Sequence, residues 1–158
     1  MDETFFCVCS KLAVVSQNDR GEEGFLVVLG IGIDLVDLSE FRRLCGDCCN
    51  PLDPESNAFV RRTFSEAERA QAARRHDPVE YLAGRFAVKE AVFKAMAHLV
   101  LSNDFDQRLI TSLDDANGRP YVVIEGRLAE TLAQAGVADV QISISNENNY
   151  VVAIALAQ

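Results

Sequence analysis

The sequence lacks an excess of positive charge, and it lacks any long apolar run. It holds 24 Asp and Glu residues against 15 Lys and Arg, so its formal net charge is −9 at pH 7. Proteins that bind nucleic acid generally carry a net positive charge, and this balance argues against that class, although it leaves a local basic patch open. No stretch approaches the ~18 consecutive apolar residues of a membrane-spanning helix. We therefore expect neither nucleic acid nor membrane as a partner.

The sequence also lacks a pair of CxxC motifs, a common spacing for structural zinc. Its cysteine count is five, an odd number, and we find no secretory signal. This combination favours reduced thiols and a cytoplasmic location. One alternative stays open, a structural or metal-sensing role for the cysteines, which are Cys7, Cys9, Cys45, Cys48 and Cys49.

Length and composition predict one domain with a hydrophobic core. The chain has 158 residues, 49% of them hydrophobic, and it contains no internal repeat and no low-complexity tract. Residues 1–25 begin with acidic residues, unlike a signal peptide, and we interpret them as an N-terminal extension that is either disordered or strand-like, or as the product of an upstream start codon. The domain itself is expected to span residues 26–158.

Hydrophobic periodicity and turn residues predict an α+β fold, in which an antiparallel-rich sheet packs on one long helix with short helices beside it. The long helix is predicted at Val79–Leu99, with Pro78 at its start. Two β-hairpins are predicted around the turn sequences "ANGRP" and "NENN". The other predicted elements are a strand over Phe25–Leu35, a short helix over Glu40–Leu44 capped by Ser39, a helix over Asn57–Thr63, a helix opened by a capping box of Ser65 and Glu68, and a helix over Arg127–Gln134 ended by Gly136.

The predicted first strand carries two glycines and an acid in the sequence "GIGIDLVD". This is not a dinucleotide-binding fingerprint, because the third glycine is missing. Side chains alternate along a strand, so Gly30 and Gly32 share one face, and that face lets another backbone or a ligand come close. Asp34 has two interpretations, a strand-end residue that caps a turn or a ligand of a cation. Asp37, at odd spacing from Asp34, is expected to point the other way.

One face of the predicted long helix is unusual, because small residues surround one acid and one base. Spacings of four, three, four and three residues bring together Ala83, Ala87, Glu90, Lys94 and Ala97. A plain surface pair between Glu90 and Lys94 would contribute only ~0.2–0.5 kcal/mol, and it does not need alanines around it. The functional interpretation is that Glu90 binds a cation and Lys94 a phosphate. Asp34 and Glu90 together fit Mg²⁺, which takes one or two carboxylates and uses water and substrate phosphates for its other ligands.

Three motifs in sequence order, "GIGIDLVDLSEF", "FSEAE" and "LAGRFAVKEAVFKAM", make the chain resemble the holo-[acyl-carrier-protein] synthase family of 4′-phosphopantetheinyl transferases. The resemblance runs from about Leu26 to the C-terminus. It implies the phosphopantetheinyl transferase fold and a Mg²⁺-dependent reaction. In that reaction coenzyme A donates its phosphopantetheine arm to a serine of an apo acyl carrier protein, as in fatty acid biosynthesis, and adenosine 3′,5′-bisphosphate is released.

The resemblance also implies roles for single residues, carried over by position. Asp34 and Glu90 would be the metal ligands, and Glu90 and Lys94 would act in catalysis, Lys94 as a point charge on the phosphates. Arg85 would hold the nucleotide end of coenzyme A. The family's "GKP" turn, which lies near the adenine, is matched here by "GRP", the residues Gly118, Arg119 and Pro120.

The chain departs from the family at the motif that ends in histidine, "SISH", which here reads "SISNE" over residues 143–147. Asn146 stands in place of the histidine, and an amide can donate a hydrogen bond to coenzyme A but cannot carry a proton near neutral pH. If the reaction needs a general base, Glu147 is one candidate and Glu90 acting through a bound water is another.

A second departure is Glu40, where many relatives have an arginine that meets the acidic carrier protein. This chain is itself acidic, so encounter with a carrier needs a local basic patch. Arg42 or Arg43 would take over from the missing arginine. The full set of candidates for the patch is Arg42, Arg43, Arg61, Arg62, Arg69, Arg74 and Arg75.

The family implies a homotrimer with active sites between subunits. Two departures, Asn146 and Glu40, keep an alternative function open, a catalytically impaired homologue that binds coenzyme A or a nucleotide. The sequence does not specify which carrier protein is served, whether for fatty acid, polyketide or another product, or whether acyl-coenzyme A is accepted.

Overall fold

The computed structural model describes residues 12–17, 23–46, 57–100 and 105–158. Within these residues the α+β prediction is confirmed. The helices are α1 (Leu38–Cys45), α2 (Ala58–Thr63), α3 (Glu66–Ala72), α4 (Pro78–Met96) and α5 (Gly126–Gln134), with a 3₁₀ turn at Gln107–Leu109. The strands are β1 (Leu12–Gln17), β2 (Glu23–Val28), β3 (Gly30–Asp37), β4 (Ser112–Asp114), β5 (Pro120–Val122), β6 (Val140–Glu147) and β7 (Tyr150–Ala157). None of the helices in these ranges has the length and apolar content needed to cross a bilayer.

The main sheet has three antiparallel strands in the order β3-β7-β6. The predicted hairpin around "NENN" is confirmed as the β6–β7 connection, in which Asn148 has a positive φ of 52°. Asparagine tolerates this left-handed conformation better than most residues, which suits it to the turn. The second predicted hairpin is confirmed as β4 and β5, each three residues long.

The predicted single strand over Phe25–Leu35 is wrong, because the chain forms two strands there. β2 ends at Val28 and pairs with β1, while β3 begins at Gly30 and pairs with β7. The intervening backbone N–H of Leu29 donates to the carbonyl of Ala157, at 2.7 Å. Apolar residues continue through the change of partner, so periodicity alone does not reveal it.

Helix α4 packs directly on β3, and the two glycines of the strand make this contact possible. A Cβ built on Gly30 would lie 2.0 Å from the carbonyl oxygen of Ala95, and one on Gly32 would lie 1.9 Å from that of Ala91. Real Cβ atoms do not approach an oxygen so closely, so only glycine fits either position. The sequence predicted that either another backbone or a ligand comes close to the glycine face of β3, and the structure shows that it is the backbone of α4.

The start of α1 corrects the predicted cap at Ser39. Asp37 is the N-cap residue, and its Oδ1 accepts from the backbone N–H groups of Ser39 at 2.8 Å and Glu40 at 3.2 Å. The Nδ2 of Asn149, in the β6–β7 turn, donates to the same oxygen at 2.9 Å. Asp37 therefore joins α1 to the hairpin, as a cap satisfies the first free N–H groups of a helix.

The capping box at the start of α3 is confirmed. The backbone N–H of Ser65 donates to Glu68 Oε2 at 2.8 Å, and the N–H of Glu68 donates to Ser65 Oγ at 3.3 Å. Asn57 caps α2 through its side-chain oxygen, which accepts from the backbone N–H groups of Phe59 and Val60. Helix α4 begins at Pro78 as predicted, with Asp77 as its N-cap residue, but it ends at Met96 rather than Leu99.

Glu68 has a further role that the sequence did not predict, in a buried ion pair. Lys89 Nζ lies 3.0 Å from Glu68 Oε2, and the two side chains are 1% and 0% exposed. Lys89 also donates to the carbonyl of Ile110, while Glu68 Oε1 accepts from the N–H of Ser112 at 3.1 Å. Burial lowers the pKa of Lys89, and the charge of Glu68 opposes this effect. The pair fastens the β4–β5 hairpin to α3 and α4.

Cys45 is buried in the core beside Phe41 and Phe64. The other four cysteines lie outside the described residues, so the alternative of a metal-sensing cysteine cluster stays a prediction. Most of the predicted N-terminal extension lies outside them as well.

Candidate functional site

The residues predicted to act on the substrate fall into two places on α4. Asp34, Glu90 and Lys94 lie where β3 crosses the helix. Arg85 lies earlier in the helix, in the wall of a cavity. The sequence predicted both sets, but not which further residues complete each one.

Asp34 reaches α4 because of its position in β3. Side chains of the strand alternate, so Asp34 follows Gly30 and Gly32 on the face toward the helix. Its Oδ1 accepts a hydrogen bond of 2.8 Å from Lys94 Nζ, which also donates to the carbonyl of Ile33 at 3.3 Å. The lysine predicted to contact phosphate thus contacts Asp34.

Glu90 lies one helical turn before Lys94 and is half-buried. Burial raises the pKa of the Glu90 carboxyl, and the negative charge of Asp34 raises it further. A hydrogen bond with Gln107 and the charge of Lys94 act in the opposite direction. Two neighbouring carboxylates form a site that a cation would stabilise.

The donor set of this site fits a hard divalent ion that shares its ligands with a substrate. Among the residues that the structure describes, no group of three or more His, Cys, Asp or Glu side chains comes together as a metal cage. Asp34 and Glu90 supply two carboxylates, and Mg²⁺ typically binds to one or two together with water and phosphate oxygens. The pair therefore suits a Mg²⁺–phosphate complex better than a metal held by protein alone.

The cavity lies between the start of α4, the β4–β5 turn and β6, and its volume is about 460 Å³. Four residues predicted to bind coenzyme A line it, namely Arg85, Gly118, Pro120 and Asn146. Gly118 has φ of 79°, which favours glycine in this turn. Eight more residues complete the wall: Arg75, His76, Asp77, Glu80, Tyr81, Gly84, Asp114 and Ile144.

Arg85 is the buried cation of the cavity. Its Nη2 lies 3.0 Å from Asp114 Oδ1, and its guanidinium carbon lies 4.4 Å from the centre of the Tyr81 ring, which is a cation–π contact. The Nε and Nη1 atoms are buried and have no hydrogen-bond partner in the described part of the protein. Buried donors without partners are costly, and an anion is a ligand that would satisfy them.

Tyr81 is held beside Arg85 through its hydroxyl group. That hydroxyl donates to Gln71 Oε1 at 2.6 Å. Burial raises the pKa of Tyr81 to about 12, although the positive charge of Arg85 acts the other way. The phenol therefore stays protonated at neutral pH and serves as a fixed flat surface for the guanidinium.

Asn146 lies in the wall and is tied to the start of α4. Its Nδ2 donates to Glu80 Oε1 at 2.7 Å. The other two predicted residues of these turns lie elsewhere: the Glu147 side chain accepts from Asn148 Nδ2 at 2.9 Å, and Arg119 is exposed, with its backbone N–H donating to Asp115 Oδ1 at 2.9 Å. Neither Arg119 nor Glu147 is among the residues that line the cavity.

Sequence reasoning missed Asp114, Tyr81 and Glu80 as cavity residues, and it placed Arg75 only in a docking patch. Asp114 precedes the predicted "ANGRP" turn, so an acid near that turn was visible. Its partner on α4, Arg85, is 29 residues away along the chain, and its partner after α3, Arg75, is 39 residues away. No local sequence pattern indicates contacts over such separations.

A family model described as the 4′-phosphopantetheinyl transferase superfamily matches residues 30–155. A holo-[acyl-carrier-protein] synthase of Trichlorobacter lovleyi is 32% identical over 127 residues, which cover 80% of this chain and 94% of that relative. One of Vibrio vulnificus is 33% identical over 132 residues, covering 81% and 95%.

Solved structures match the fold over the same region. The holo-[acyl-carrier-protein] synthase of Neisseria meningitidis has a TM-score of 0.68 at 30% identity, covering 83% of this chain and 98% of that one. A Chronobacterium ammoniagenes ACPS–CoA complex has a TM-score of 0.63 at 30% identity, covering 82% and 96%. The residues that match the family model include β3, the whole of α4, the site at the β3–α4 crossing and the residues that line the cavity. The chain belongs to the 4′-phosphopantetheinyl transferase superfamily.

Proposed function

We propose that this chain transfers the 4′-phosphopantetheine group from coenzyme A to a serine of an apo acyl carrier protein and releases adenosine 3′,5′-bisphosphate. The observation that carries the proposal is the meeting of Asp34, Glu90 and Lys94 at the β3–α4 crossing, in a chain whose relatives include holo-[acyl-carrier-protein] synthases. One solved neighbour is a complex with CoA.

Transfer of a phosphoryl-linked group requires in-line positioning and neutralisation of the charge that develops on the phosphate oxygens. We assign a Mg²⁺ ion to Asp34 and Glu90, where it would supply Lewis-acid stabilisation of the pyrophosphate. Lys94 would exchange its contact with Asp34 for one with a substrate phosphate. Arg85 would hold a phosphate at the nucleotide end with its two unpartnered nitrogens.

The proposed reaction has no histidine at position 146 to take the serine proton. Asn146 cannot titrate near neutral pH, so it can orient the substrate but cannot act as a base. Glu147 stays a candidate base, because its carboxylate is exposed at the end of β6 and has only Asn148 as a hydrogen-bond partner in the described residues. An exposed carboxylate would be reachable by a serine of a docked protein.

For carrier docking we propose the exposed surface of α1. Arg42 is held in an ion pair with Asp77, the N-cap residue of α4, so we assign the docking role to Arg43 rather than Arg42. Arg43 is exposed, and the apolar side chain of Leu44 beside it is 55% exposed. A basic and apolar surface of this kind fits an acidic amphipathic partner.

We also propose that three copies assemble with the active site shared between neighbours. The sheet face that points away from α4 carries exposed apolar side chains, which are Ile31, Ile33, Leu35 and Ile154. Contiguous apolar patches of this kind mark protein interfaces. We also propose a cytoplasmic location, which fits the proposed activity.

Transfer is tested by mixing the protein with coenzyme A, Mg²⁺ and several apo carrier proteins, then weighing the carriers by mass spectrometry. We expect the mass of one phosphopantetheine to appear on at least one carrier. No added mass on any carrier, with coenzyme A bound tightly, would overturn the proposal and favour the alternative, an impaired homologue that only binds coenzyme A. The observation that favours this alternative is Asn146, whose amide is engaged with Glu80.

A further inference from the structure

We propose that Gln107 positions Glu90 for cation binding, by donating a hydrogen bond from its side-chain amide to the Glu90 carboxylate. Gln107 is the first residue of the 3₁₀ turn, and no motif of the sequence predicts it as a site residue. The inference rests on the proposed function and deepens it, because it concerns the cation site at the β3–α4 crossing. It names the residue that would hold one of the two metal carboxylates in its binding orientation.

Two contacts from α4 hold the chain on either side of Gln107. The ring of Phe93 stacks on that of Phe105, two residues before Gln107, with 5.6 Å between the ring centres and 4° between the ring planes. Lys89 Nζ donates to the carbonyl of Ile110, three residues after Gln107. The segment that contains the 3₁₀ turn is therefore fastened to α4 at both of its ends.

The second of these contacts lies in the core. Ile110 is fully buried, and its backbone N–H donates to the carbonyl of Gln107 at 3.0 Å, which closes the turn. Lys89 is 1% exposed and pairs with the buried Glu68 at 3.0 Å. The place of Gln107 along α4 is therefore set by buried groups of the fold and not by contacts of its own side chain.

Glu90 lies at this point of the helix, between Lys89 and Phe93. Burial raises the pKa of the half-buried Glu90 carboxyl, and the charge of Asp34 adds to this effect, while a hydrogen bond from the Gln107 side chain lowers it. An ionised carboxylate only accepts hydrogen bonds, so the amide donates through Nε2. A carboxylate offers about four lone-pair sites, and one bond from Gln107 leaves room for a cation.

The two carboxylates of the site have different partners. Asp34 accepts from the charged Lys94 at 2.8 Å, a contact that a substrate phosphate would draw away, whereas Glu90 accepts from an uncharged amide. A neutral donor can keep its bond when a cation binds, because the two do not repel each other as two charges would. Hydrogen bonds to metal-binding side chains fix their orientation and raise their affinity for the ion. Gln107 would act on Glu90 in this way.

The first test measures Mn²⁺ binding by electron paramagnetic resonance, with coenzyme A present and no carrier protein. Mn²⁺ takes the same octahedral oxygen ligands as Mg²⁺. We expect Gln107→Met, which keeps the length of the side chain but has no donor, to weaken Mn²⁺ binding about tenfold. The matched control is Gln134→Met at an exposed position of α5, which should leave the affinity unchanged.

The second test asks whether Gln107 acts through Glu90, and it needs neither metal nor substrate. Gln107→Met should lower the melting temperature of the parent protein more than that of Glu90→Gln, because the charge-assisted bond exists only in the parent. Equal decreases in the two backgrounds would show that the two side chains do not interact. If Gln107→Met does not fold, Gln107→Ala takes its place in each test.

The third test is the Mg²⁺ dependence of transfer. Gln107→Met should raise the Mg²⁺ concentration that gives half the maximal rate about tenfold, while the rate at saturating Mg²⁺ falls by less than about twofold. A lower rate at saturating Mg²⁺ with an unchanged Mg²⁺ dependence would contradict a positioning role.

An unchanged Mn²⁺ affinity in the folded variant would overturn the inference, as would a parent protein that binds no Mn²⁺. The first two tests are independent of transfer. If no carrier is modified but Gln107→Met weakens Mn²⁺ binding, the proposed function fails and the inference stands. If transfer proceeds and Gln107→Met binds Mn²⁺ as the parent does, the proposed function stands and the inference fails.

Discussion

Lys94 Nζ donates to Asp34 Oδ1 at 2.8 Å across the crossing of α4 and β3, and the two residues are 60 positions apart in the chain. The bond joins a strand that forms the sheet to the helix that covers it. It also places a cation against one of two neighbouring acids, while the second acid, Glu90, has its pKa raised by burial and by the charge of Asp34. The contact is partly open to solvent, so a substrate phosphate can compete for the lysine.

The carboxylates of this crossing are expected to be essential for transfer. Asp34→Ala and Glu90→Gln should each lower kcat at least about 100-fold, because each removes a ligand of the proposed Mg²⁺ ion that would stabilise charge on the reacting phosphate. Steady-state transfer assays over a range of Mg²⁺ concentrations measure the effect. Glu130→Gln, an exposed acid on α5, is the control. Full activity in either site variant at ordinary Mg²⁺ concentration would contradict the assignment.

Gly32→Ala is expected to destabilise the fold by at least about 2 kcal/mol, because its Cβ would overlap the backbone of α4 and the packed layers must separate. The Cβ of an alanine at position 32 would lie 1.9 Å from the carbonyl oxygen of Ala91. Gly84→Ala is the control on α4, where the Cβ would face Ile144 of β6 and Val151 of β7 with its nearest atom 3.6 Å away, and where alanine favours the helix. Urea unfolding of both variants measures the difference, and equal stabilities would refute the close approach.

Breaking the Glu68–Lys89 pair from one side should cost about 3–5 kcal/mol, because it leaves an unpaired charge in the core. Lys89→Met tests this, and the double variant with Glu68→Gln should recover part of the loss, since no full charge is then buried. Chemical denaturation of the single and double variants gives both values. A Lys89→Met variant as stable as the parent protein would show that the pair contributes little.

Asp77 is expected to make stability depend on acid pH. Its hydrogen bond with Arg42 lowers the pKa of the Asp77 carboxyl below its ordinary value of 3.8, although burial opposes this. A group with a lowered folded-state pKa stabilises the fold above its unfolded-state value and loses that effect as pH falls through the folded-state value. The melting temperature of Asp77→Asn should therefore lie below that of the parent near pH 7, with the gap closing below about pH 4. A difference in melting temperature that stays the same at every pH would show that ionisation of the Asp77 carboxyl is not its cause.

The apolar outer face of the sheet is expected to hold the proposed trimer together. Ile33→Glu should leave the monomer folded, because this side chain is 58% exposed, but should prevent assembly by placing charge in an apolar contact. Analytical ultracentrifugation and the transfer assay measure the two consequences. Ala133→Glu, at an exposed position of α5, controls for the added charge. A monomeric Ile33→Glu protein with full activity would refute a shared active site.

Most of the fold could be predicted because its determinants are local. Pro78 marks the start of α4, Ser65 and Glu68 form the predicted capping box, and both hairpins follow from their turn residues. The change of partner at Leu29 could not be predicted, since the apolar pattern continues through it.

The sequence predicted only those residues of the candidate site that belong to recognisable motifs. Asp34, Glu90 and Arg85 stand in motifs, whereas Asp114 and the Glu68–Lys89 pair act through tertiary contacts that join distant segments. Serine is a common cap residue, so the sequence predicts Ser39 as the cap of α1, but Asp37 holds that position and Asn149 holds Asp37 in place. Sequence spacing gives the face of one element, and the packing of two elements decides which residues meet.

The alternation of side chains along β3 has a consequence for how this chain can vary. Ile33 and Leu35 point outward on either side of Asp34, which points to α4. Deleting one residue of β3 ahead of Gly32 would move each following side chain to the opposite face of the sheet. Asp34 would then point outward, and Ile33 would point at the backbone of Ala91. A single strand register therefore sets the proposed metal site and the proposed subunit contact together. Substitutions can alter either one alone, but an insertion or deletion in β3 would disrupt both.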